Sequence, residues 1–223
     1  MKTALVTGAN RGIGLALVQA LTARGDRVIG TCRQSSIALQ ATGAQVETDV
    51  DVSDEQALLR LAERLQGQRV DQLWLNAGVL ERDALGGVGL GDFDSLRRQF
   101  EVNALGPLRV TQALLDMLGK GSSIGILTSR MGSIADNDSG GYYGYRASKA
   151  AVNAIGKSLA VDLAPRGISV FLMHPGYVAP DMVGGSGDIS PAQAAGLLVA
   201  LLDRLGPVHT GTFWHSNGNP LPW

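Results

Sequence analysis

Thr3 to Val6 is a short apolar run that breaks directly into Thr7-Gly8-Ala9-Asn10-Arg11-Gly12-Ile13-Gly14. An apolar run closed by glycine reads as a buried strand. Past the glycines, Ile13, Leu17, Ala20, Leu21 and Arg24 recur at helical spacing, and Gly25 stops them. Arg27 to Cys32 reads as a second strand. Strand, glycine-rich turn, helix and strand together open a parallel βαβ unit.

The alternation continues to the end of the chain. Gln45 to Val50 reads as a third strand, and Asp54 to Leu65 as an amphipathic helix with Ser53 as its N-cap. Gln72 to Leu75 is a fourth strand, closed by Asn76-Ala77-Gly78. Glu81 to Gly91 is glycine-rich and reads as a loop. Asp92 to Met117 reads as helix with an interruption at Asn103 to Pro107, because a proline inside a helix costs about 3 kcal/mol. Ser123 to Thr128 is a fifth strand, and Arg130 to Gly141 a polar loop. Tyr143 to Leu163 is a helix stopped by Pro165 and Gly167. Ile168 to Met173 is a sixth strand, followed by His174-Pro175-Gly176. Ser190 to Leu205 is a helix with Ser190 as cap and Pro191 at its first position. Thr212 to His215 closes the series. The expected fold is α/β: a single Rossmann-type domain over residues 1–223, with a doubly wound, mostly parallel sheet of about seven strands. Such sheets bind ligands beyond the carboxyl ends of their strands. The glycine-rich and polar clusters fall at those ends.

Composition narrows the class of function. Hydrophobic residues make up 45% and charged residues 17%, which is globular rather than disordered. A net charge of -1 without a basic block argues against nucleic acid as a partner. No apolar run reaches the roughly 18 residues of a membrane span. The start lacks the pattern of a signal peptide, and Cys32 is the only cysteine. A cytoplasmic location is expected. His174, His209 and His215 are scattered, so no metal site is expected.

Gly8, Gly12 and Gly14 follow a strand and open a helix, in the spacing G-x-x-x-G-x-G. Glycine lets the backbone turn tightly and approach a pyrophosphate, whose charge meets the helix N-terminus. A kinase-type phosphate loop is excluded, because no Gly-Lys-Ser/Thr follows. Dinucleotide folds that take NAD often end the second strand in an acid that holds the ribose 2′-OH. Here that end reads Thr31-Cys32-Arg33. Arg33, with Arg11 in the loop, can pair with a 2′-phosphate. NADP is therefore expected in preference to NAD.

Tyr145 and Lys149 lie four residues apart in a predicted helix and share one face. A nearby ammonium favours the phenolate and lowers the tyrosine pKa. The pair alone also suits a packed tyrosine beside a solvated lysine. Tyr142 and Tyr143 have Arg146 and Ala147 at that spacing instead.

Taken together, the Thr7-to-Gly14 loop, Asp51-Val52-Ser53, Asn76-Ala77-Gly78, Asn103, Ser129, Tyr145-x-x-x-Lys149 and Pro175-Gly176 resemble the short-chain dehydrogenase/reductases over essentially the whole chain. The stretches Thr128 to Asn137 and Gly140 to Arg146, and the end Gly211 to His215 with Pro222-Trp223, are similar to the small carbonyl reductases of the C-signal and sniffer branch. The resemblance implies an NADP-dependent oxidoreductase that interconverts a carbonyl and an alcohol. It implies Tyr145 as general acid/base. Lys149 would bind the nicotinamide ribose and lower the Tyr145 pKa. Ser129 would bond the substrate carbonyl oxygen, and Asn103 would hold a water linking Lys149 to solvent. Ser129 lies 16 residues before Tyr145, and Ser133 remains the alternative at 12. The implied cofactor-binding set is Gly8, Asn10, Arg11, Gly12, Ile13, Gly14, Arg33, Asp51, Val52, Asn76, Ala77, Gly78, Tyr145, Lys149, Pro175, Gly176 and Val178. Asp51 would meet the adenine. The family pairs subunits through the helices around 103–118 and 143–163, which implies a homodimer or homotetramer.

The sequence departs from the family at Pro180, where Pro-Gly-x-x-x-Thr is usual. Proline has neither hydroxyl nor N–H, so the threonine's contact with the carboxamide is lost and backbone groups of Val178 are expected to substitute. Asp181 to Ser190 is short and glycine-rich, which suggests a shallow lid over an open pocket. Phe213, Trp214 and Trp223 read as core or subunit contacts before substrate wall. A second reading, drawn from the likeness to C-signal proteins, is an NAD(P)-binding signalling or regulatory protein. A sugar-nucleotide epimerase is disfavoured, because too little chain follows the Tyr145 helix for an added substrate domain.

Overall fold

The computed structural model describes residues 1–83, 93–178 and 188–223. Seven strands run as β1 (Thr3–Thr7), β2 (Arg27–Thr31), β3 (Gln45–Glu47), β4 (Gln72–Leu75), β5 (Ser123–Leu127), β6 (Ser169–His174) and β7 (Thr212–His215). They form one sheet in the order β3-β2-β1-β4-β5-β6-β7. Every pairing is parallel, so the sheet is fully rather than mostly parallel. Parallel neighbours need crossover connections, and these place helices on both faces. The strands are apolar on both sides for that reason; β4, Gln-Leu-Trp-Leu, is buried at every position.

One face carries α1 (Gly12–Ala23), the short α2 (Ile37–Gln40) and α7 (Pro191–Arg204). Leu17, Leu21, Leu198 and Leu202 from these helices pack with Trp74 and Phe171. The other face carries α3 (Glu55–Arg64), α5 (Gly106–Ala113) and α6 (Tyr143–Leu163), with α4 (Phe93–Phe100) leading into α5. There Leu58, Leu61, Val110, Val152 and Ala160 cover Leu5, Leu73 and Ile124. At the amino ends of the strands, Asp203 of α7 accepts from Lys2 at 2.9 Å, from Arg24 at 2.5 Å and from Gln72 at 3.2 Å. That hub ties α1, α7 and β4 together, away from the carboxyl ends.

Several features differ from expectation for local reasons. The N-cap of α3 is Asp54, whose side chain accepts from Gln56 N at 2.9 Å; Ser53 bonds Asp51 instead. β3 stops at Glu47, and Asp49 turns the chain with φ at 59°, a left-handed conformation a strand cannot continue through. The expected break near Asn103 is a π-helical stretch, Glu101–Leu105, with Gly106 N–H donating to Glu101 O. Pro107 then sits in the first turn of α5, where its missing N–H goes unneeded. A 3₁₀ turn at Arg130–Gly132 lies within the expected polar loop, and α2, over a stretch with no expected element, is capped by Ser36 Oγ on Leu39 N. α6 runs over the expected residues, and the Ser190 capping box starts α7 after Ser190. Most of the Glu81-to-Gly91 loop lies outside the described residues.

Phe171 is fully buried in β6, between β5 and β7. Phe171→Ala should lower the unfolding free energy by about 3–5 kcal/mol in urea titrations, through lost burial and the cavity left behind.

Candidate active site

The site is built where β1 and β4 end side by side. Thr7 Oγ1 accepts from Asn76 N at 3.0 Å and Ala77 N at 3.1 Å, and donates to Trp74 O at 3.3 Å. Asn76 Nδ2 donates to Thr7 O at 2.9 Å and Gly8 O at 3.2 Å. The side chain of Asn76 thus bolts the glycine loop to the end of β4. α1 packs so closely onto this junction that a Cβ at Gly14 would lie 2.1 Å from Gly8 O. The N-cap Arg11 gives α1 no side-chain cap, and its first turn holds no acid. Those first-turn amides can face an anion. Asn10 O accepts from Ser36 Oγ at 2.8 Å, which ties the loop to α2. Gly12 and Ile13 form the first turn itself.

Arg11 and Arg33 are exposed. Arg33 Nη1 stands 4.0 Å from Asp51 Oδ2, a loose pair that leaves the guanidinium available. Burial acts to raise the Asp51 carboxyl, but hydrogen bonds from the Ser53 hydroxyl and amide, with Arg33, outweigh it and hold the group below its usual range. Val52 is buried in the core, so only its backbone can face a ligand. Across the sheet end, Pro175 O accepts from Ser216 Oγ at 2.9 Å, Gly176 turns with φ at 96°, and Val178 bridges Ile189. Pro180 and residues 181–187 of the expected lid lie outside the described residues. Glycine cradle, bare helix N-terminus and two exposed arginines fit a phosphorylated dinucleotide.

Tyr145 and Lys149 project from α6, one turn apart. Lys149 is 5% exposed, and its Nζ donates to Leu127 O at 2.9 Å while standing 5.7 Å from the centre of the Tyr145 ring. Burial lowers the ammonium to about 8. Tyr145 is half-buried at the surface, and the protein crowded around its phenol pushes it up to about 12, with a hydrogen bond from Ser129 working the other way. The expected lowering by Lys149 is therefore absent in this arrangement, because desolvation dominates.

The structure brings Ser129, not Ser133, to the phenol. Ser129 caps the 3₁₀ turn, its Oγ accepting from Met131 N at 3.1 Å. That turn sits hard on α6: a Cβ at Gly132 would lie 2.7 Å from the Lys149 carbonyl carbon. Asn153 Nδ2 also reaches Gly132 O, at 3.3 Å. Ser133 Oγ instead donates to Trp223 O at 3.0 Å, and Ile134 N and Ala135 N donate to the same oxygen. Phe213 is buried and stacks on Trp223 at 5.7 Å. Phe213 is thus a core contact, and the tail clamps the segment after Ser129.

Asn103 lies in the π-helical stretch and is 1% exposed. Its Oδ1 accepts from Val79 N at 2.8 Å, and its Nδ2 donates to Val79 O at 2.8 Å and Ser148 Oγ at 3.1 Å. Both Nδ2 hydrogens bond protein groups and Oδ1 accepts from Val79 N, so the side chain braces the loop after β4. A Cβ at Gly78 would stand 3.2 Å from Asn103 Oδ1 and 3.7 Å from Lys149 Nζ, which places Gly78 against both.

Two neighbours escaped the sequence reading. His174, at the end of β6, packs edge-on to His215 at 4.9 Å, and its Nδ1 is buried without a partner among the described residues. Burial, then the charges of His215, Arg130 and Lys149, lower it to about 3, so it is neutral at physiological pH. Its only signal was its place before Pro175-Gly176. Asp83 reaches the start of α6, a contact across 60 residues that no local pattern shows.

The family model for short chain dehydrogenase matches residues 2–188. The chain is 43% identical over 229 residues to the 1-hydroxy-2-glutathionyl-2-methyl-3-butene dehydrogenase of Rhodococcus sp. (strain AD45), covering 100% of both chains. It is also 43% identical over 157 residues to the C-signal protein of Myxococcus xanthus, covering 69% of this chain and 93% of that one. Carbonyl reductase Sniffer of D. melanogaster superposes with a TM-score of 0.90 at 30% identity, over 100% of both chains. The NADPH-bound carbonyl reductase from chicken fatty liver gives a TM-score of 0.90 at 28% identity, over 100% of this chain and 99% of that one.

The burial of Lys149 has a stability consequence. Its folded value of about 8 lies below its ordinary 10.5, so between those pH values the unfolded chain keeps a proton the folded chain has released. Stability rises with pH across that window and is lost as pH falls through about 8. The unfolding free energy of wild type minus that of Lys149→Met should therefore climb from pH 8 to 10.5 in urea titrations. A difference flat across the window would show an ordinary lysine.

Proposed function

The chain belongs to the short-chain dehydrogenase family, and we propose from that premise that it is an NADP(H)-dependent oxidoreductase interconverting a carbonyl and an alcohol. The observation that carries the reading is the placement of Ser129 next to the Tyr145 phenol, backed by Lys149 and set beside the glycine cradle. Bound NADPH supplies the hydride. Hydride arrival leaves negative charge on the carbonyl oxygen, and the Ser129 and Tyr145 hydroxyls are the donors for it. A phenol held near 12 keeps its proton until that charge develops, then releases it to the oxygen. Lys149 holds a positive charge close to the phenolate so formed and is free to bond a ribose when it leaves Leu127 O. Asn103 positions the loop after β4 with its side chain, and its backbone is the group left to bind water at the π-helical turn.

The cofactor reading rests on Arg11 and Arg33 and on the NADPH bound in the chicken carbonyl reductase. Asp51 and the Val52 backbone line its adenine end, Asn76 to Gly78 its middle, and Pro175, Gly176 and Val178 its nicotinamide end. The Rhodococcus relative is named for a bulky thioether alcohol, which supports a roomy substrate class and activity in the oxidative direction. The lone, buried Cys32 suits a reducing cytoplasm. Exposed Val161 on α6 and Phe100 at the end of α4 support subunit pairing through those helices.

The C-signal relative favours a second reading, in which nucleotide binding serves a regulatory output. Tight NADPH binding without turnover on aldehydes, ketones and quinones would support it. On the enzyme reading, Tyr145→Phe should lower turnover on that panel by about 10²-fold or more while leaving NADPH affinity near wild type. Activity surviving the change would sink the mechanism. Arg33→Asp should weaken NADPH by about 10–100-fold, the worth of a charge-assisted contact, with little effect on NADH; equal losses would remove the case for the 2′-phosphate.

A further inference from the structure

α6 carries both Tyr145 and Lys149, yet it has no cap of its own. Its N-cap residue Tyr142 makes no side-chain cap and sits in the left-handed region at φ 51° and ψ 44°. The first amides of a helix have no intrahelical acceptor and need one from elsewhere. Three consecutive amides at this start, those of Tyr142, Tyr143 and Gly144, go to one residue from another part of the chain. Asp83 Oδ1 accepts from Tyr143 N, Asp83 Oδ2 accepts from Gly144 N at 3.0 Å, and Asp83 O accepts from Tyr142 N at 3.0 Å. Tyr145 is the next residue.

The segment that presents Asp83 is itself pinned. It leaves Asn76-Ala77-Gly78 at the glycine cradle, and Val79 is then held on both backbone groups by Asn103. Glu81 N donates to Gln99 Oε1 at 3.1 Å, and the Glu81 carboxylate takes a two-pronged grip from Arg98 at 2.7 and 2.6 Å. Residues 76–83 therefore form a braced bridge. One end lies on the nucleotide loop, and the other holds the start of the helix that bears the phenol. An ionised carboxylate is the strongest common acceptor for helix N-terminal amides, and its negative charge suits that end of the helix dipole.

We propose that Asp83 is a positioning residue for the hydride-transfer reaction: its carboxylate sets the register and tilt of the first turn of α6, and so the height of the Tyr145 hydroxyl against Ser129. The inference rests on the oxidoreductase reading. A displacement of about 1 Å at a reacting group can cost on the order of 10²-fold in rate, and the first turn of α6 has no second cap to resist it.

The test compares Asp83→Ala and Asp83→Asn with wild type and Tyr145→Phe. Asp83→Ala should lower kcat by about 10–100-fold while the NADPH dissociation constant and the substrate KM stay within about twofold, since the cradle and the pocket keep their own supports. Asp83→Asn retains one acceptor oxygen and should restore most of kcat. Hydrogen exchange of the Tyr143 and Gly144 amides should accelerate in Asp83→Ala, with strand amides unchanged. A kcat within about twofold of wild type in Asp83→Ala overturns the proposal. So does a parallel loss of NADPH affinity in both Asp83 variants, which would mark a folding role. If wild type turns over nothing, the oxidoreductase reading fails by itself. In that event unaltered exchange at the α6 start in Asp83→Ala would overturn the cap as well, and faster exchange confined there would support it.

Discussion

The structure depends on the junction where β1 and β4 end. β1 has β2 on one side and β4 on the other, so successive crossovers leave it in opposite directions and open a crevice at its carboxyl end. A crevice of this kind is useful only if its walls hold still. Asn76 supplies that rigidity by satisfying two backbone carbonyls of the opposite strand end, while Thr7 satisfies two amides in return. The four bonds cross between segments about seventy residues apart, and they leave Gly8 and Gly14 almost no room for a side chain.

Burial governs the electrostatics of the site. Lys149 and Tyr145 are pushed in opposite directions by the same loss of water, the amine down and the phenol up. Both shifts favour the neutral form of each group. At neutral pH the phenol is uncharged, while the amine, at about 8, remains mostly protonated beside it. Lys149 is anchored to the Leu127 carbonyl rather than to the phenol, so it acts across space on Tyr145 until a ligand offers it another acceptor.

Much of the fold was legible because glycine and proline punctuate it. β4, β7 and α6 begin and end where the sequence suggested. The cap of α3 was misplaced by one residue because Ser53 and Asp54 are both good caps, and only the packing decides between them. The π-helical turn was legible as a break but not in kind, since apolar spacing changes little when one hydrogen bond moves from four residues to five. The site divides in the same way. Motif spacing singled out Tyr145, Lys149 and the glycines as candidates. The choice between Ser129 and Ser133 needed the path of the tail, and Asp83 and His174 needed the sheet order, because their partners are distant in sequence. Pro180 and the segment after it lie outside the described residues.

The tail holds one more consequence. The turn bearing Ser129 is pressed onto α6 on one side and held at Trp223 O on the other, ninety residues later. The seven strands and the Tyr145–Lys149 helix are all laid down by residue 215. The restraint on the serine's surroundings comes from outside that scaffold, at Trp223. Loosening of residues 216–223 would therefore free the Ser129 turn while leaving the sheet intact.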